Sequence, residues 1–111
     1  MPILKSIPMK RVIGGTTIET SEICIVNDEV YETNGESLVI TKELQNVVVN
    51  LNSETTDHVI IKALTNTTIK PITGKIDEEY SEIQIEKGAC VELYYSFGNW
   101  YIVSSDGLKQ S

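Results

Sequence analysis

The sequence predicts an all-β protein: a small antiparallel β-sandwich or barrel-like domain of about eight short strands. Three observations carry that expectation. Short apolar and β-branched runs recur along the chain, each bounded by Gly, Asn, Asp or Pro. Several runs alternate with period two, as in Glu82-Ile83-Gln84-Ile85-Glu86. No stretch sustains a helical period, and the best helical candidate, KELQNVV from Lys42, spans at most a single turn.

Taken in order, residues 1–15 read as an irregular leader and a candidate anchoring arm, because Pro2 and Pro8 oppose a helix and Gly14-Gly15 breaks a strand. Residues 16–106 read as one all-β domain, and 107–111 as a polar tail. Thr17 to Val26 opens the strand region. Asn34-Gly35, between Val30–Thr33 and Ser37–Thr41, is a strong signal for a two-residue hairpin turn. Val47 to Leu51 carries only Asn50 as a polar residue, which suggests a strand covered on both faces. Val59 to Leu64 follows the Ser53–Asp57 loop. The next strand must end at Pro71, which has no N–H for a ladder. Ile76 is expected to tuck toward the core beside a solvated Asp77-Glu78-Glu79 loop.

Gly88 to Gly107 is the most ordered pattern in the chain. Val91, Leu93 and Tyr95 share one face of an extended segment, and Cys90, Glu92 and Tyr94 the other. A turn at Ser96–Asn99 then leads into Trp100 to Val103. The core or interface candidates are therefore Val91, Leu93, Tyr95, Trp100, Tyr101 and Ile102.

Chemistry-bearing patterns are sparse. His58 is the single histidine, with no nucleophile or metal partner that spacing can supply. Asp77-Glu78-Glu79 lacks the alternating ligands and central Gly of a calcium loop. Neither a phosphate-binding G-x-x-x-x-G-K-[ST] nor a G-x-S-x-G elbow occurs. No catalytic residue, metal ligand or cofactor is assigned, and the expectation is a protein that is not an enzyme. A net charge of −7 repels phosphate backbones and argues against nucleic-acid binding. No apolar run of about 18 residues exists to form a membrane-spanning helix, so no membrane partner is expected. Cys24 and Cys90 each sit among apolar residues and read as buried thiols, with a disulfide open only if their strands are neighbours.

From Val59 to Val103 the chain resembles a module of tailed-bacteriophage virion proteins. That module runs I-x-I-K-N, then T-V-T-I-x-P, then I-D-G, then I-x-L, then G-x-x-V-x-L-x-S-D-G-x-N-W-Y. Here the series is Val59-Ile60-Ile61-Lys62, Thr67-Thr68-Ile69-Lys70-Pro71, Ile76-Asp77 and Ile83-Gln84-Ile85. It closes on Gly88, Val91, Leu93, Ser96, Gly98, Asn99, Trp100 and Tyr101. Phe97 stands where the module carries Asp, with the turn to Trp100 one residue shorter, and Glu78 stands where it carries Gly. The resemblance implies a non-enzymatic structural protein of the virion, commonly a homotrimer, touching other virion proteins of the capsid, portal-neck or tail. A length of 111 residues is short for a fibre with its own shaft, which favours a capsid decoration or head-fibre role over a tail fibre. The alternative is a carbohydrate- or receptor-binding module of a tail or appendage. It would use the aromatic hairpin on a host-surface glycan. A buried Trp100 favours the first reading, and an exposed Trp100 or Phe97 the second.

Overall fold

A computed structural model describes residues 9–13, 16–20 and 23–106. No described residue is helical, as the sequence leads one to expect. β1 (Met9–Ile13) and β2 (Thr16–Thr20) pair antiparallel in a two-stranded sheet of their own, Ile13 opposite Thr16. This corrects the irregular reading at residues 9–13, which form a strand. Residues 1–8 of the leader and the polar tail 107–111 lie outside the described residues.

Nine further strands form the body. β3 (Ile23–Val26), β4 (Val30–Glu32), β5 (Leu38–Thr41), β6 (Asn46–Leu51), β7 (His58–Ala63) and β8 (Asn66–Pro71) alternate between two sheets. β9 (Ile83–Ile85), β10 (Cys90–Ser96) and β11 (Asn99–Asp106) close the chain. One sheet has the order β11-β10-β7-β5-β3, the other β4-β6-β8-β9. The all-β class and the two facing sheets match expectation. The strand pairing does not match: it is mixed rather than antiparallel. β3, β5 and β7 run parallel in one sheet, and β4, β6 and β8 run parallel in the other. The chain therefore winds through three stacked coils before reversing. β9 pairs antiparallel with β8, and β10 antiparallel with β7 and β11.

The expected hairpin at Asn34-Gly35 is instead a corner between sheets. Only Gly35 of that pair has a positive φ, so the mirror-image turn, which needs two, does not form. The polar groups of this corner are satisfied by the next coil. Gly35 N–H donates to Thr56 Oγ1 at 2.8 Å, and Asn52 N–H to Thr33 Oγ1 at 2.9 Å. Thr55 Oγ1 donates to the Thr33 carbonyl at 2.9 Å. Thr33, Glu36 and Thr56 are buried there, and burial without these partners would be costly.

Inward positions follow strand alternation. Val39, Ile61 and Val91 lie in one row across three paired strands and are fully buried. Val47, Val49 and Leu51 face them from β6, with Ile69 beside them on β8. Within the single chain only one face of β6 is fully covered: Val48 and Asn50 point the other way and are half-buried. Each inward aliphatic contributes about 1.5–3 kcal/mol by leaving water. Thr41 and Thr67, both buried, bridge the two sheets through their hydroxyls at 2.6 Å. Cys24 and Cys90 are free and half-buried rather than buried. β5 and β7 separate their strands. Three interstrand spacings, about 14 Å, exceed disulfide reach.

At the first corner the Tyr31 hydroxyl donates to the Glu36 carboxylate, whose other oxygen accepts the Asn34 N–H at 2.8 Å. Burial foremost, then hydrogen bonds with Cys24 and Glu36, hold the Tyr31 hydroxyl well above its ordinary value of 10.0. A group whose folded-state value is raised stabilises the fold below its unfolded value. That contribution is lost as pH climbs from there toward the folded value. Urea melts from about pH 9 to about pH 12 should therefore show stability falling above the tyrosine range. The Tyr31→Phe variant should fall less steeply, and equal slopes for both proteins would refute this role for Tyr31.

Candidate functional site

The closing hairpin is where the sequence concentrates its candidates. β10 and β11 are joined by Phe97-Gly98, with Ser96 opposite Asn99. Both turn residues have positive φ, 52° and 86°, which gives the two-residue primed turn that matches the twist of the flanking strands. A non-glycine residue at the first position costs strain, and Phe97 accepts it at a tip where the residue is 97% exposed. A bulge between Glu92 and Leu93 shifts the register, so Leu93 faces Ile102 while Glu92 faces Ser104.

Three of the six candidates, Val91, Leu93 and Trp100, are fully buried in the core. Tyr95 and Ile102 are half-buried and pack against it. The Tyr95 ring tilts against the Trp100 indole at 58° with centroids 5.4 Å apart, a favourable arrangement for two ring quadrupoles. Tyr101 departs from this group. It lies on the outer face opposite Tyr94, and its hydroxyl donates to Glu78 at 2.7 Å. That bond, the largest influence, pushes the Tyr101 hydroxyl above its ordinary value.

Trp100 is held in place by a loop that crosses the hairpin. Ile76, fully buried, bridges in parallel to Trp100. Trp100 N–H donates to the Lys75 carbonyl at 2.8 Å, and Asp77 N–H to the Trp100 carbonyl at 2.7 Å. Asn99 Oδ1 accepts the Lys75 N–H, and Asp77 Oδ1 the Ile102 N–H, at 2.9 and 3.0 Å. The expected solvated loop is thus exposed at Asp77 and Glu78 yet tied to the hairpin by both carboxylates. Gly74 permits the crossing: a Cβ there would meet the Gly98 carbonyl oxygen at 1.8 Å. The indole Nε1 is buried with no hydrogen-bond partner, so the ring is retained for its packing.

On the outer face His58, Tyr94 and Tyr101 fall in one cross-strand row. The His58 and Tyr94 rings stack at 4.2 Å, and His58 Nε2 lies 2.6 Å from Glu92 Oε2. The stack turns these ring faces toward each other, and the carboxylate pair satisfies the imidazole. Asp57, beside His58 in sequence, instead contributes its carbonyl to the Tyr95 N–H at 2.9 Å. Sequence reading missed the Glu92 partner because it lies on a strand 34 residues away. The register of two alternating strands was the signal that could have found it. Burial, opposed by Lys62, raises the Cys90 thiol above its ordinary value and keeps it in the less nucleophilic form. Among the described residues no group of three His, Cys, Asp or Glu could hold a metal ion. The arrangement offers packing, a surface aromatic row and hydrogen-bonded carboxylates.

No protein-family model matches the chain, and no curated protein matches it.

Trp100→Ala should cost about 3–5 kcal/mol, because a buried indole is lost and its cavity is lined by a rigid core. Denaturant melts check this, and a loss under about 1 kcal/mol would show that the ring does not anchor the hairpin.

Proposed function

We propose that this protein is a non-enzymatic structural component of a bacteriophage virion, a capsid decoration or head-fibre protein that assembles as a homotrimer. The observation that carries the reading is the burial of Trp100, fully enclosed by β10, β11 and the Ile76 loop. The ordered residues that resemble the virion module build this closing unit. Ile69, Ile76, Ile85, Val91, Leu93 and Trp100 are all in the core. A pattern spent on packing supports a scaffold, since a ligand platform needs its aromatic side chains accessible.

Apolar side chains left at the surface support self-association. Ile25, Val30, Ile72 and Val103 are each exposed on a body whose core is already filled. A symmetric oligomer covers such positions by repeating one contact. Phe97 favours the second reading, a glycan- or receptor-binding module, because its ring stands free at the hairpin tip beside Asn99. One ring without a polar cradle around it is a thin platform, and the structural role is preferred.

Light scattering of the full chain at micromolar concentration tests the reading. A homotrimer has about three times the 12.4 kDa chain mass. A particle of 12.4 kDa would rule out the trimer for the isolated protein.

A further inference from the structure

The three stacked coils end on β3 and β4, the open end of the first coil, and on the reversed strands β9, β10 and β11 at the last. β3 and β4 are the outermost strands of their sheets, and among the described residues no strand pairs with their outer edges. Among the described residues the outer edges of β9 and β11 also lack a strand partner, so charge is what distinguishes the two ends. An unpaired parallel edge is a template for another strand, and stacked coils need a cap at both ends. Val30 on β4 is 58% exposed and Ile25 on β3 is 39% exposed.

The β1–β2 hairpin is the complementary piece. It joins neither sheet, and two strands alone are marginal in water. Its charge is opposite to that of the body. Residues 9–20 carry Lys10, Arg11 and Glu19, a net of +1 with Glu19 opposite Lys10, whereas residues 23–106 carry five lysines against fourteen acidic residues, a net of −9. β1 is the one described strand with two cations, Lys10 and Arg11. The open end carries the exposed carboxylates Asp28, Glu29 and Glu32 within and just before β4. Two open ends brought together would repel through these acids, which disfavours a contact of the end with itself.

We propose that the β1–β2 hairpin of one copy adds to the open β3–β4 end of a second copy, with Lys10 and Arg11 set against Asp28 and Glu29. This rests on the self-association reading and specifies its contact. The interface is head-to-tail: each copy donates one hairpin and accepts one, so a small ring leaves no hairpin and no β3–β4 end unmatched. Backbone ladder bonds supply the attachment and the charges set its polarity.

Charge exchange in the full-length chain tests it, with native mass spectrometry and light scattering at low salt as readouts and far-UV circular dichroism as the check on folding. The variants are K10E/R11E, D28K/E29K and the four together. Each single reversal should raise the protomer concentration for half-dissociation by about tenfold or more. The combined variant, whose net charge equals that of the starting chain, should return to within about threefold of it. An oligomer that ignores both reversals overturns the hairpin contact and leaves self-association standing. Reversals that weaken the oligomer without mutual rescue also overturn the proposed pairing. A monomeric starting protein overturns the contact and the self-association reading together.

Discussion

The structure depends on one constraint, that the inward positions of stacked strands stay in register. Val39, Ile61 and Val91 occupy a single row across β5, β7 and β10, and all three are fully buried. A slip of one residue on any of these strands would send Cys90, Ile60 or Ile40 inward and the row outward. The opposing sheet repeats the arrangement with Val47 and Val49 on β6 and Ile69 on β8. β-branched side chains suit such rows because they pack well against neighbours on a pleated surface.

Register in a parallel coil must be fixed at the corners, since no tight hairpin sets it. The buried polar residues do this. Thr33 accepts from Asn52, Thr56 accepts from Gly35, and Thr41 meets Thr67 across the sheets. The pairings join residues 19 to 26 positions apart, so the corners lock one coil to the next. The last coil is fixed differently. The loop carrying Ile76 lies across the hairpin, and its Asp77 and Glu78 carboxylates hold β11 from the outer side. Core burial, corner hydrogen bonds and the crossing loop thus act on the same register from three directions.

Much of this was legible in the sequence, and the part that was not has a physical explanation. Period-two alternation put Val91 and Leu93 on one face, and both are buried, because sidedness of a strand is a local property. Ile76 was likewise legible as an isolated apolar residue among acids. The direction of strand pairing was not legible. Asn34-Gly35 reads as a hairpin because its local preference suits one, yet its hydrogen-bonding partners lie on Asn52 and Thr56 and choose a corner. The Tyr31–Glu36 contact and the His58–Glu92 pair were hidden for the same reason: both depend on how the chain is routed. Tyr101, read as a core or interface candidate, alternates with the inward Trp100 and so faces outward toward Glu78.

The most direct measurement is the pattern of nuclear Overhauser contacts between backbone protons of the labelled protein. The parallel coil requires contacts linking the Val39 row to Ile61 and the Val48 row to Thr68, with the spacing of parallel strands. Close Hα–Hα contacts between Val30–Glu32 and Leu38–Thr41, as an antiparallel hairpin at Asn34-Gly35 would give, would contradict the coil and the register on which everything else rests.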